Sequence, residues 1–190
     1  MNKNNSAKVY KIAFVGVMAA IVCVASMIRI RLTEDVAFHI ANGVCLLSGL
    51  LLGPAMGGLA AGLGSAIYDV IGGYSVGEMI ITFINKGAMA WVCGTLAGTK
   101  HKAPDAKRTI VSSIVGAFTY VFLFMLKTFI AKTFILGMPL KAVWGIMITI
   151  FPISLLNAAV AIVTAPILFG AINPALSKLG LEQIVRPKKD

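Results

Sequence analysis

Strongly polar residues lie inside a stretch of the sequence that is otherwise apolar. Four residues of this stretch follow an i, i+4, i+7, i+11 course and so share one face of a helix: Glu78, Thr82, Asn85 and Met89. Lys86 lies at the edge of that face. A strongly polar group within an apolar helix is costly unless it has a partner or a function. We therefore expect this face to point into a bundle interior or an aqueous cavity.

Polar and aromatic residues of the same kind occur in the other apolar stretches. Aromatic rings with a few directed polar groups are typical of sites for heterocyclic ligands. The candidate ligand-binding residues are Asn42, Asp69, Tyr74, Glu78, Asn85, Lys86, Lys127, Trp144 and Asn157. Counted at about 1.5 Å per residue from the segment ends, Lys86 and Lys127 lie about 15 Å deep and the carboxylates about one turn deep. These depths outline a cup that opens at one end.

Each candidate also has a purely structural interpretation. Trp144 and Tyr74 lie where an aromatic belt at the membrane interface would place them. Lys127 could extend outward to the interface, and Glu78 could be a solvated loop residue. Asp69 could pair with either lysine of the cup. The sequence leaves these alternatives open.

Signatures of catalysis are missing from the sequence. It contains no HExxH or P-loop motif, and the two histidines, His39 and His101, are far apart in the predicted topology. The three cysteines show no CxxC spacing and read as small buried hydrophobes. We therefore predict no catalytic residue, no metal site and no cofactor, and any ATP hydrolysis would need a separate protein.

The elements that would position the cup are membrane-spanning helices. The chain has 190 residues, of which 58% are hydrophobic and 13% charged, and its mean hydropathy is +0.91. Such a composition leaves too few charges to cover a soluble domain. The predicted fold is an all-α integral membrane protein, a single domain over residues 1–190 with six transmembrane helices. The predicted segments are 9–28, 39–52, 55–71, 76–98, 109–136 and 140–172, with a break at Gly53-Pro54.

The basic residues are placed to fix the topology of these segments. The net charge of +10 is concentrated before the first segment, in the loop 99–108 and in the tail 173–190. By the positive-inside rule these three regions are cytoplasmic, so both termini lie inside a multi-pass protein of the cell membrane. Basic residues interleaved with aromatics on one face are missing, so no nucleic-acid partner is expected.

The middle of the chain resembles a known family. The residues that carry the resemblance are Gly49–Gly53 with Pro54, the run from Gly57 to Ala66, Asp69, Gly72-Gly73-Tyr74 and Lys86-Gly87. They resemble the substrate-binding S component of an energy-coupling factor (ECF) transporter, in its riboflavin-type or pyridoxine/hydroxymethylpyrimidine-type branch. Where this branch commonly has Gly-Asp at the start of segment two, this sequence has Ala41-Asn42.

The resemblance implies a function and a set of partners. It implies a six-helix bundle that binds a vitamin or vitamin precursor with high affinity and docks to a transmembrane coupling (T) subunit that carries two ATPases. The implied docking residues on segment one are Ala13, Gly16 and Ala20. A pyridoxine- or hydroxymethylpyrimidine-like compound is the preferred substrate. Riboflavin or another cofactor precursor, or a stand-alone proton-coupled carrier, is the alternative.

Overall fold

The described part of the chain is all-helical apart from one short β-hairpin. The computed structural model describes residues 3–31, 37–98 and 103–179. In chain order its elements are α1 (Lys3–Met27), β1 (Arg29–Arg31), β2 (Ala37–His39), α2 (Ala41–Ile71), α3 (Val76–Ala97), α4 (Ala106–Ile130) with a π-helical turn (Ala131–Ile135), and α5 (Leu140–Lys178). Within those ranges, five helices are long and apolar enough to cross a membrane. The predicted class of integral membrane protein is confirmed.

Helix α2 reverses direction at Gly53. This glycine has φ 79° and ψ −177°, outside the helical region, and Pro54 follows it. Cys45 Sγ lies 3.9 Å from Ser65 Oγ across the break. In one straight helix these residues, 20 apart, would be separated by about 30 Å. The two halves of α2 therefore form an antiparallel helical hairpin, with the turn at the predicted break.

The first half of α2 is the centre of the bundle. Every residue from Ala41 to Gly53 is buried. The other helices surround it, since α2 contacts α1, α3 and α5, while α4 joins α3 to α5. A helix that is apolar on all sides belongs at such a central position.

Small residues let the second half of α2 approach its neighbours closely. A Cβ atom on Gly64 would lie 2.3 Å from the backbone oxygen of Ala19 in α1. A Cβ atom on Gly58 would lie 3.0 Å from the backbone oxygen of Gly87 in α3. Small residues at helix interfaces in membranes usually allow such close backbone contacts.

The β-hairpin was not expected from the sequence. Arg29 pairs with His39 in an antiparallel register, where the sequence predicted only a charged loop. Three-residue strands are too short to show the alternation that identifies a strand in a sequence. The connection between them, with Glu34 and Asp35, lies outside the described residues.

The helix ends differ most from the sequence-based bounds in α1, α4 and α5. Helix α1 begins at Lys3, ahead of the predicted start at residue 9. Helix α4 begins at Ala106, where the Asp105 side chain accepts a hydrogen bond from the Arg108 backbone. Helix α5 passes through three prolines and ends at Lys178, beyond the predicted segment end at Ile172. Membrane helices tolerate internal prolines because neighbouring groups satisfy the freed carbonyls. The last part of the predicted tail, residues 180–190, lies outside the described residues.

Candidate functional site

A partly open cavity of about 400 Å³ lies at the end of the bundle that carries the β-hairpin and the α2–α3 connection. Its walls combine charged, polar and aromatic side chains. The lining residues are Ser26, Arg29, Ala37, His39, Ala41, Ser65, Tyr68, Asp69, Tyr74, Glu78, Ile81, Thr82, Asn85, Lys86, Tyr120, Phe124 and Lys127. Helices α1 to α4 and both strands contribute to it.

Lys86 is a buried cation at the cavity wall. It is 5% exposed, and its Nζ donates a hydrogen bond to Oδ1 of Asn42, which is 2% exposed. The same Nζ lies 4.2 Å from the centroid of the Tyr120 ring, close enough for a cation–π interaction. Tyr120 stacks on Phe124, with ring centroids 6.0 Å apart. The amide and the aromatic ring hold the ammonium group in place.

Lys127 has a different partner. Its Nζ lies 2.6 Å from Oε2 of Glu78, and the two side chains are 22% and 40% exposed. Glu78 is in the first turn of α3, where the Ser75 side chain caps the helix by accepting from the Glu78 backbone N–H at 3.3 Å. Lys127 therefore points into the cavity instead of extending to the membrane interface, and Glu78 is a helical residue rather than a loop residue.

Asp69 pairs with neither lysine. Within the described ranges, the ion pair of this region joins Lys127 to Glu78, and the Asp69 Oδ2 atom is buried without a hydrogen-bond partner. Asp69 is near the end of α2 and faces the same cavity as both lysines. Its carboxylate interacts with the Thr82 side chain, which also lines the cavity.

Arg29 lies at the mouth of the cavity between two tyrosines. Its guanidinium carbon is 5.0 Å from the Tyr68 ring centroid and 5.4 Å from that of Tyr74, and Nη2 donates to the Tyr74 hydroxyl. The two rings are 6.4 Å apart. Tyr74 thus belongs to the cavity wall rather than only to an interfacial belt.

The β2 strand is fixed to α5 by one amide. Asn157 Oδ1 accepts from the His39 backbone N–H at 3.0 Å, and Asn157 Nδ2 donates to the Ala37 carbonyl at 2.7 Å. His39 Nδ1 is buried without a hydrogen-bond partner. Burial, together with the positive charges of Lys86 and Arg29, holds the pKa of His39 well below its ordinary value. The imidazole is therefore neutral at physiological pH.

The structure brings most of the predicted ligand-binding residues together. Asp69, Tyr74, Glu78, Asn85, Lys86 and Lys127 line the cavity. Asn42 lies behind Lys86, and Asn157 lies behind β2, so each touches a lining residue or strand rather than the cavity itself. Trp144 is 58% exposed and packs against Phe129 at a centroid distance of 6.3 Å, away from the cavity.

Sequence reasoning missed several lining residues. The sequence predicts a charged loop at Arg29, and it sets His39 and His101 aside because they are far apart in the predicted topology. His101 lies outside the described residues. Their cross-strand pairing is a long-range feature with no local signal. Tyr120 and Phe124 do carry a signal, since with Lys127 they form a polar-aromatic stripe on one helical face.

The cavity has the chemistry of a binding site. Among the described residues, no group of three or more His, Cys, Asp or Glu side chains could hold a metal ion. Aromatic faces can stack on a planar ring, while ammonium, guanidinium and carboxylate groups can meet its polar atoms. Away from the cavity, Ala13, Gly16 and Ala20 are exposed on one side of α1, and nothing lies within 4 Å of a Cβ built on Gly16.

Comparisons with known proteins agree with this architecture. Residues 6–174 match the family described as ECF-type riboflavin transporter, S component. The fold is similar to that of a structure titled "Structure and mechanism of the S component of a bacterial ECF transporter", with a TM-score of 0.66 and 15% sequence identity over 89% of this chain and 98% of that chain. No curated protein matches the sequence significantly. The chain belongs to the family of ECF-type riboflavin transporter S components, membrane proteins that bind substrate and are not enzymes, since ATP is hydrolysed in separate subunits.

Proposed function

We propose that this chain is the high-affinity vitamin-binding subunit of an ATP-driven ECF uptake transporter and that riboflavin is its substrate. The observation that carries the proposal is the cavity of about 400 Å³ with aromatic residues and opposite charges on its walls. Its volume falls within the roughly 300–1,000 Å³ of pockets that enclose drug-sized ligands. The family match supports a flavin in particular.

The wall chemistry fits a flavin. Tyr120 and Phe124 offer a stacked aromatic surface on α4, and the planar guanidinium of Arg29, held against Tyr68 and Tyr74, offers a second surface at the mouth. A fused ring system needs such surfaces, and a polyol chain needs polar groups like those of Asp69 and Arg29. The sequence-based preference for a pyridoxine- or hydroxymethylpyrimidine-like compound stays a prediction. A single-ring compound would use one aromatic surface, which is why we favour the larger ligand.

A titration of the purified chain tests the substrate. One sample of the purified protein would first be denatured so that any retained ligand can be identified by mass spectrometry. Riboflavin, pyridoxine and hydroxymethylpyrimidine would then be titrated against a second, folded sample in detergent. We expect binding of riboflavin far tighter than that of the single-ring compounds, and a loss of affinity in Lys86→Met. Tight binding of a single-ring vitamin instead would overturn the choice of substrate, and no binding of any vitamin would overturn the proposed function.

We also infer six membrane crossings with both termini cytoplasmic in a cell-membrane protein. The reversal of α2 at Gly53 supports the count, because it divides one helical element into two antiparallel segments. The basic residues before α1 and in the loop and tail support the orientation. This arrangement directs the cavity outward. A cysteine introduced at Gly137 should react with an impermeant maleimide added to cells, and one introduced near the C-terminus should not.

The expected partners are a transmembrane coupling subunit and two ATPase subunits. The exposed side of α1 that carries Ala13, Gly16 and Ala20 is the surface proposed to meet the coupling subunit, since small side chains allow helix backbones to approach. Gly16→Leu should abolish co-purification with the coupling subunit while leaving vitamin binding unchanged. Val163→Phe, at an exposed position of α5, is the control and should leave both unchanged. Retained co-purification in Gly16→Leu would contradict this surface.

A further inference from the structure

The two lysines of the cavity differ in how their charges are compensated. Lys127 has the carboxylate of Glu78 at 2.6 Å. Among the described residues, the direct contacts of the Lys86 ammonium are with the neutral amide of Asn42 and the face of the Tyr120 ring. Both partners of Lys86 interact with a cation through partial charges, and neither cancels it.

Burial makes the lack of a paired carboxylate at Lys86 energetically unfavourable. Lys86 is 5% exposed and Asn42 is 2% exposed, so water does little to screen the ammonium group. A buried charge without a counter-ion is strongly disfavoured unless a ligand or a function requires it. Asp69 interacts electrostatically with Lys86 but is not ion-paired with it, and the Arg29 cation at the same cavity repels Lys86.

The hydrogen bond from Lys86 to Asn42 leaves donor capacity free. An ammonium group has three N–H donors, and the structure accounts for one of them at the Asn42 oxygen. Lys86 itself lines the cavity, whereas Asn42 lies behind it and does not. The other two donors have no oxygen acceptor among the described residues and lie beside the Tyr120 ring, which also lines the cavity.

We propose that Asn42 determines the ligand class of this cavity: its neutral amide orients Lys86 without neutralising it, and so reserves the ammonium for an electron-rich or anionic oxygen of the ligand. The proposal rests on the proposed function and adds the substrate chemistry to it. A ring carbonyl and a phosphate ester both supply such an oxygen. A carboxylate at position 42 would take over the role of the ligand oxygen and compete with it.

A double-mutant cycle on the detergent-purified full chain tests the proposal, with riboflavin and its phosphate ester, flavin mononucleotide, as probes. The variants are Asn42→Asp, Lys86→Met and the two combined. Asn42→Asp is nearly isosteric and should weaken binding of riboflavin about tenfold or more, because a charge-assisted hydrogen bond is lost to competition. In the Lys86→Met background the same change should have little further effect, since the ammonium is no longer present.

A further variant keeps the test independent of folding. Lys86→Gln retains a donor for Asn42 but removes the charge, and it should weaken binding about as much as Lys86→Met does. Thermal unfolding of each variant shows whether the bundle is intact. A larger loss of affinity for flavin mononucleotide than for riboflavin identifies the phosphate as the oxygen that meets Lys86, and equal losses identify the ring carbonyl.

The outcomes separate this inference from the proposed function. If the wild-type chain binds riboflavin and Asn42→Asp binds it equally well, the inference is wrong and the function stands. The same holds if Asn42→Asp weakens binding as much in the Lys86→Met background as alone. A wild-type chain that binds none of the vitamins would remove both.

Discussion

Asn157 Oδ1 accepts a 3.0 Å hydrogen bond from the His39 backbone N–H, which ties helix α5 to strand β2 across 118 residues of sequence. The amide nitrogen of the same side chain donates to the Ala37 carbonyl at 2.7 Å. One side chain thus occupies the free edge of β2 as a neighbouring strand would. Because Ala37 and His39 both line the cavity, this contact sets the position of one cavity wall.

Removing the Asn157 amide should release that wall. Asn157→Leu keeps a similar volume but loses both hydrogen bonds, each of which contributes about 1 kcal/mol. We expect the dissociation rate of bound vitamin to rise about tenfold to thirtyfold, as measured by stopped-flow fluorescence. Ser154→Ala is the matched control, since Ser154 is one turn away on α5 and bonds only within its own helix, to the Ile150 carbonyl. An unchanged dissociation rate in Asn157→Leu would mean that α5 does not hold the hairpin.

The stability of the folded chain should fall in mild acid because of His39. Its pKa in the folded state is lowered by burial and by the positive charges of Lys86 and Arg29. Above the ordinary histidine pKa of about 6.5, both the folded and the unfolded states are neutral at this position. Below it the unfolded state gains a proton that the folded state does not, so the free energy of unfolding decreases.

The thermal midpoint in detergent, measured between pH 8 and pH 5, tests this dependence. His39→Gln should flatten the decrease below about pH 6.5. Phe38→Leu is the control, since it changes the neighbouring residue of β2 and leaves His39 in place, and it should keep the wild-type pH dependence. A curve that keeps its full slope in His39→Gln would assign the pH dependence to other groups.

The ion pair between Glu78 and Lys127 should matter little for stability. Its side chains are 40% and 22% exposed, and pairs with that access to solvent contribute about 0–1 kcal/mol. Glu78→Gln should therefore change the thermal midpoint only slightly. The same substitution should change the affinity for the vitamin clearly, because it leaves Lys127 as a second cation at the cavity without a paired carboxylate. A collapse of thermal stability in Glu78→Gln, with rescue by Lys127→Met, would show that the pair is structural.

The turn of α2 should depend on a glycine in the neighbouring helix. A Cβ on Gly94 in α3 would lie 2.7 Å from the backbone nitrogen of Pro54 and 2.8 Å from the carbonyl carbon of Gly53. Backbone atoms cannot move aside cheaply, so Gly94→Ala should cost about 1–3 kcal/mol by overpacking. The control is Gly145→Ala in α5, which meets nothing within 4 Å and gains helix propensity. Thermal unfolding should separate the two variants clearly, and equal midpoints would contradict the close contact.

Much of the architecture could be read from the sequence. The apolar stretches identified the membrane helices, and Gly53-Pro54 marked the point where α2 reverses. The periodicity of Glu78, Asn85 and their neighbours correctly assigned a polar face to α3, since helical spacing is a local property. The resemblance to S components was confirmed by the family match. Burial of polar groups in a membrane is so costly that their presence alone indicated an interior cavity.

The pairing within the cavity was decided by the tertiary structure alone. The sequence offered Asp69 as the partner of either lysine, but Lys86 meets Asn42 and Lys127 meets Glu78. The partners in these two pairs are 44 and 49 residues apart in sequence and lie on different helices. Whether they meet depends on how each helix is rotated about its axis and shifted along it, and the periodicity within one helix specifies neither. The same is true of the β-hairpin, whose strands are three residues long and are held by Asn157 from the far end of the chain. The sequence by itself determined that the protein is a membrane bundle with a polar interior, because hydrophobicity and helical spacing are local; the contacts that shape the site are long-range, so only the packed helices decided them.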